Sequence, residues 1–248
     1  MPSADVPPSL TLGYVPGVTP AKWVRIWNER MPEIPLTLVH VTAAEAAEAV
    51  RDHHVDAVLL RSSTKPSGLH AIPLYTETTV VVVPKDHLVA AADVVSTGDL
   101  ADDIVLHPLD DTLDWVRPPG QPAITRPATT GAAIELVAAG VGLLVVPQSL
   151  ARLHHRKDLT YRPVTEAPQS RVALCWLEDN TTDVIDTFIG IVRGRTPNST
   201  RGRVAPPKAE TAKQPEAGRK AKPATGGNRR RSPRPAHNNR RKKPRRRS

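Results

Sequence analysis

The sequence predicts an α/β body of two small lobes followed by a basic tail, and three observations carry that prediction. Short apolar runs alternate with capped helical stretches from Leu10 to about Thr200. Some of the runs are apolar at successive positions, as in Val80–Val83 (VVVV) and Leu143–Val146 (LLVV), the pattern of strands covered on both faces. After Asn198 the composition changes abruptly: residues 201–248 hold seven prolines, one valine, and no Leu, Ile, Met or aromatic residue.

Charge divides at the same point. The chain of 248 residues carries a formal +9. Positions 201–248 hold 18 Lys and Arg against Glu210 and Glu216, which gives +16 and leaves −7 for positions 1–200. A segment so poor in apolar groups cannot offset its ordering entropy of roughly 1–2 kcal/mol per residue, so the tail is expected to be disordered. Residues 1–9 are read as a short disordered lead. The single cysteine, Cys175, excludes a disulfide scaffold and a cysteine zinc site. No apolar run reaches the roughly 20 residues of a membrane span, and MPSADVPPS lacks the pattern of a secretory signal. The expectation is a soluble cytoplasmic protein.

Each element has its own signal. Leu10–Val15 (LTLGYV) reads as a strand ended by Pro16-Gly17. Thr19-Pro20 offers an N-cap and a proline at the first helical position, with Trp23, Ile26 and Trp27 at helical spacing and Pro32 as the stop. Leu36–Val41 is a second strand. Thr42 and Glu45 form a capping box before Ala46, Ala47 and Val50. Val55–Leu60 is a third strand. The order β-α-β-α-β predicts a parallel sheet.

Further on, Asp103–Leu106 and Ala123–Thr125 are short strand candidates. Thr130 is expected to cap a helix Gly131–Ala139, and Gln148–His154 a further one. Leu159–Pro163 and Val172–Trp176 are strands. Asp183–Val192 closes the body as a helix with Val184, Ile185, Phe188, Ile189 and Val192 on one face. Crossings near residues 80 and 172 divide the body into lobe I (about 10–80 and 177–200) and lobe II (about 81–176).

Four ordered stretches then resemble a known family. LTLGYVPGVTPAKW resembles the opening strand, loop and helix of the effector-binding (substrate-binding) domain of LysR-type transcriptional regulators. LTLVHVTAAEAAEAVRDHHVDAVLL resembles its second strand, helix and Asp-containing third strand, with Asp56 in that place. GLHAIPLYTETTVVVVPKDHLVAAADVVSTGDLAD resembles the crossover, and IELVAAGVGLLVVPQSLARL the segment that leads to the last lobe-II helix. The resemblance implies two Rossmann-like lobes joined by two crossover strands, a type 2 periplasmic-binding-protein-like clamshell. It implies a small-molecule effector in the cleft and a side-by-side homodimer. It begins at Leu10, without the winged helix-turn-helix that members carry first, and it does not include the tail.

In such a fold ligands sit beyond the carboxyl ends of the strands, at helix N-termini. Val18-Thr19, Val41-Thr42 and Thr130-Gly131 are three such junctions, each with a hydroxyl beside backbone N–H groups, and they suit a carboxylate, phosphate or sulfate. Each Thr also reads as an ordinary helix cap. The resemblance places Thr19 and Thr42 facing the effector and makes Gln148 a polar contact. The candidate ligand site is therefore Val18, Thr19, Thr42, Thr130, Gly131 and Gln148, for an anionic effector.

Other chemistries lack their motifs. There is no GxSxG, no GxxxxGK[ST] and no GxGxxG, so neither an enzyme nor a cofactor is expected. His53-His54 and His154-His155 are adjacent pairs, which diverge on a helix, so no metal is expected. Cys175 reads as a buried thiol.

In the tail, Arg229, Arg230, Arg231, Arg234, Arg240, Arg241, Lys242, Lys243, Arg245, Arg246 and Arg247 suit phosphate backbones, giving nonspecific DNA or other polyanion binding. Ser232-Pro233-Arg234-Pro235 resembles an AT-hook core without its glycine. The reading is a LysR-like sensor in transcriptional regulation, cytoplasmic and nucleoid-associated through its tail. The alternatives are a cytoplasmic small-molecule binder with no DNA role, its tail solubilising, or a dimerising modulator of complete LysR-type regulators.

Overall fold

The computed structural model describes residues 7–62 and 65–196. Residues 1–6 of the expected 1–9 lead, and the tail with all its candidate polyanion-binding residues, lie outside the described residues.

In the first lobe, β1 (Leu10–Tyr14), α1 (Ala21–Arg30), β2 (Leu36–His40), α2 (Ala46–Arg51) and β3 (Ala57–Arg61) follow the expected alternation. β1 lies parallel between β2 and β3, with Leu12 opposite Leu38 and Ala57. Two further strands complete this sheet, β4 (Leu69–Glu77) and β11 (Ser170–Leu177), giving the order β2-β1-β3-β11-β4. β11 runs antiparallel to both β3 and β4. The expected second lobe, 81–176, therefore needs correction: residues 170–176 belong to the first sheet. β11 pairs along its whole length with first-lobe strands, so the return crossing lies at 166–169 and the outward one at Thr78.

The core of this lobe holds three buried aromatics, Trp27, Trp176 and Phe188. Trp27 of α1 and Phe188 of α5 (Asp183–Val192) meet edge to face with ring centroids 5.9 Å apart. The Trp27 indole N–H donates to the Ile34 carbonyl at 2.8 Å, so the buried ring leaves no polar atom unpaired. α5 has its expected bounds, and Thr182 caps it by accepting from the Ile185 N–H at 3.2 Å. Its buried face comprises Ile185, Phe188, Ile189 and Ile191, with Val184 and Val192 at the margin. Each such side chain contributes on the order of 1.5–3 kcal/mol by leaving water.

The second lobe is built on β5 (Thr79–Pro84), β6 (Val95–Ser96), β7 (Ile104–Leu106), β8 (Gln121–Pro122), β9 (Leu143–Pro147) and β10 (Leu159–Thr165), ordered β6-β10-β5-β9-β7-β8. β5 is central and antiparallel to both β10 and β9. Its four valines divide by the period of two: Val80 and Val82 enter one core, Val81 and Val83 the other. α3 (Thr130–Ala138) and α4 (Gln148–Leu153) cover the first of these faces. The strand expected at 123–125 lies instead at Gln121–Pro122, where Gln121 follows Gly120 and pairs with Ile104. Gly142 allows β9 to close on β7, since a Cβ there would lie 2.6 Å from the Ile104 carbonyl oxygen.

Candidate functional site

The loop after β1, the end of β4 and the start of α4 converge between the lobes. They enclose a chamber of about 420 Å³ lined by Gly17, Thr19, Lys22, Trp23, Tyr75–Thr78, Gln148, Ser149 and Arg152. A second chamber of about 440 Å³ shares Gly17, Thr19, Ser149 and Arg152 and adds Tyr14, Val18, His40 and Leu153. The two together form the cleft. Both volumes fall in the range of small-molecule sites.

Of the sequence-derived candidates, Val18, Thr19 and Gln148 meet in this cleft. Val18 is buried, and Thr19 is exposed to it. Thr19 does not cap α1: the helix starts after Pro20, which is itself helical, and no side chain closes that end. The Thr19 hydroxyl is therefore not spent on a cap. Gln148 is half-buried, and its backbone N–H donates to the Thr78 carbonyl at 2.9 Å, which anchors α4 to the crossing strand.

Thr42, Thr130 and Gly131 do not line either chamber. The Thr42 hydroxyl donates to Glu45 Oε2 at 2.7 Å and accepts from the Glu45 N–H at 3.2 Å. This is the expected pairing, but it closes a turn, because α2 begins only at Ala46. Thr129, rather than the expected Thr130, caps α3 by accepting from the Ala132 N–H at 3.1 Å. Thr129 has the extended backbone that an N-cap requires, whereas Thr130 is already helical. Thr130 is 3% exposed and donates to Asp110 Oδ1 at 2.9 Å. Gly131 faces His154, where a Cβ would stand 3.2 Å from the imidazole.

Sequence reasoning missed two cations and an imidazole, besides Trp23, Tyr75 and Ser149. Lys22 and Arg152 line the first chamber, and His40, edge-on to Tyr14 with centroids 5.5 Å apart, lines the second. The one carboxylate in the lining is Glu77, whose Oε2 accepts from Arg61 Nε at 2.6 Å. Burial, and then the Glu77 charge, push the Tyr75 phenol above its ordinary range, while Arg61 opposes them. The lining brings together two long cations, the hydroxyl of Thr19, the amide of Gln148 and the rings of Trp23 and Tyr75. Among the described residues no group of His, Cys, Asp and Glu suits a metal ion, and no helix is long and apolar enough to cross a membrane.

Comparison with known proteins gives the same architecture. The family model of the LysR substrate binding domain matches residues 6–197. The chain belongs to this family. A "Probable hydrogen peroxide-inducible genes activator" of Mycobacterium leprae is 30% identical over 154 residues, 57% of this chain and 50% of the relative. The transcriptional regulator AlsR of Bacillus subtilis is 23% identical over 194 residues, 74% and 62% of the two chains. The LysR-family chain thus spans only half to three fifths of the length of these regulators.

Among solved structures, the oxidised form of OxyR aligns with TM-score 0.62 at 19% identity, covering 75% of this chain and 95% of that one. The BenM effector binding domain with its effector benzoate aligns with TM-score 0.64 at 18% identity, covering 77% and 92%. At these identities the likeness establishes the fold alone: two α/β lobes joined by two crossings, of the type 2 periplasmic-binding-protein-like class.

Proposed function

We propose that this LysR-family chain senses a small organic anion in the cleft between its lobes and acts in transcriptional regulation, with no reaction of its own. One observation carries the reading: the chamber lining holds Lys22 and Arg152, while its carboxylate, Glu77, is already bonded to Arg61. An entering carboxylate or phosphate therefore meets net positive charge, with Thr19 and Gln148 as neutral partners. Thr42 and Thr130, whose hydroxyls are bonded to Glu45 and Asp110, serve the loops that shape the cleft.

Ligand binding, rather than thiol chemistry, is the signal in this reading. The relative from Mycobacterium leprae is named for hydrogen peroxide. Here Cys175, the single cysteine, is buried in β11, and burial pushes its thiol up to about 11. A thiol so held is protonated near neutral pH and reacts poorly with oxidants.

The test is thermal shift of the full chain with benzoate, citrate and inorganic phosphate. A rise in Tm that disappears in both Thr19→Val and Arg152→Gln is the expected result. A ligand that stabilises both variants as it does the parent would move the site out of the cleft.

The tail in this reading supplies sequence-independent contact with DNA or another polyanion, and holds the protein at the nucleoid in the cytoplasm. Its +16 charge and lack of aromatics support phosphate contacts rather than base stacking. Truncation after Thr200 is expected to abolish retention on heparin at low salt; equal retention by the truncated chain would relocate binding to the body. A homodimer follows from the family resemblance, and sedimentation velocity of the truncated chain checks it.

A further inference from the structure

We propose that Arg61 is a hinge latch, whose guanidinium is fixed by Glu77 and joins the two lobes through Ser149, so that it sets the opening of the cleft. Arg61 is the last residue of β3, and Glu77 is the last of β4, one residue before the outward crossing. Their side chains are 2% and 5% exposed. Arg61 Nε donates to Glu77 Oε2 at 2.6 Å and Nη2 to Glu77 Oε1 at 3.3 Å, a two-point contact that fixes the plane of the fork. Ser170, the first residue after the return crossing, donates to the same Glu77 Oε2 at 3.0 Å. One carboxylate thus ties both crossings.

From that fixed plane the remaining donors reach outward. Arg61 Nη1 donates to the Pro16 carbonyl at 2.6 Å, in the loop that carries Thr19. Nη2 donates to Ser149 Oγ at 2.8 Å, in the first turn of α4 in the second lobe. The lobes can close this tightly because of Gly17. Its φ is +80°, and a Cβ there would lie 3.0 Å from both Arg61 Nη2 and Ser149 Oγ. Gly17, Ser149 and Glu77 also line the proposed ligand chambers, so the latch and the cleft share a wall.

The arrangement separates two functions within one side chain. Rotating the lobes apart breaks the Ser149 bond but leaves the Arg61–Glu77 pair intact, because both of those residues belong to the first sheet. Separating that buried pair would leave an uncompensated charge, which is strongly unfavourable, so the pair stays closed through the motion. Opening then exposes one guanidinium N–H toward the cleft, which favours two discrete arrangements over a continuum.

The experiment uses the ligand-free full chain carrying spin labels at Asn28→Cys on α1 and Ala132→Cys on α3, both exposed positions. The native Cys175 is fully buried and does not compete for label. Double electron–electron resonance is expected to show a longer and broader interlobe distance in Ser149→Ala than in the parent, and Ser149→Thr, which keeps the hydroxyl, is expected to return the parent distribution. An unchanged distribution in Ser149→Ala overturns the latch, and so does a shift that Ser149→Thr fails to reverse. The measurement involves no ligand, so it stands or falls apart from the proposed binding function.

Discussion

The two lobes solve the same packing problem with different residues. The first gathers one core around Trp27, Phe188 and Trp176. The second has two thinner cores on opposite faces of its sheet, made of Val, Leu, Ile and Ala, with Trp115 and Tyr161 only at their margins. A large ring fills volume with few rotatable bonds, and the first lobe adds three such rings to its aliphatic core. The second distributes its burial over many small β-branched side chains. The lesson is that a similar layered fold can be rigid for different reasons, and the cleft lies where the two meet.

The most forceful way to break this comparison is to truncate both cores. Trp27→Ala should cost about 3–5 kcal/mol and Leu144→Ala about 2–5 kcal/mol, read from urea unfolding. The two residues belong to separate clusters, so the double variant should equal the sum within about 0.5 kcal/mol. A larger discrepancy would mean that the lobes share a core after all.

The boundary between the lobes comes next. Arg61→Ala should cost about 3–5 kcal/mol, because it leaves Glu77 buried without a counter-charge. Arg61→Met combined with Glu77→Leu should recover most of that loss, and failure to recover would assign the cost to packing rather than charge.

Cys175 reports on the first lobe alone. Its thiol is held at about 11 against an unfolded value near 9.0, so the folded state binds its proton more tightly. Its contribution to stability is full below pH 9 and is lost as pH rises toward 11. At pH 8 the unfolded thiol should alkylate ~90-fold faster than the native one, from thiolate fraction alone. Equal rates would show that β11 opens readily.

The smallest effects distinguish caps from cleft residues. Thr182→Ala in the first lobe and Thr129→Ala in the second should each cost about 1 kcal/mol. Thr19→Ala, which removes no cap, should stay within about 0.5 kcal/mol in the same unfolding experiment.

These differences also decide what could be read from sequence. α5 was legible to the residue because its apolar residues recur on one helical face, and β5 was legible because four consecutive valines leave little else to form. β4 was not, since it alternates half-exposed positions and carries Pro73 on an edge strand. At the cleft, Thr19 stood out by its junction and Gln148 through the family resemblance. Arg61 and Glu77 did not: they are 16 residues apart, on strands that do not pair directly. Only β11 between them brings their ends together. Thr129 and Thr130 are chemically alike and adjacent, so only the backbone decides which hydroxyl caps the helix.

The two crossings carry a consequence for synthesis. The second lobe is one continuous segment, from Thr79 to Thr165, set inside a first lobe that is discontinuous. The ribosome therefore releases every strand of the inner lobe before β11, and Phe188 after that. Until β11 and α5 emerge, Trp27 has no ring to meet and β3 has an open edge. The lobe whose strands come first in the chain is the last to finish folding.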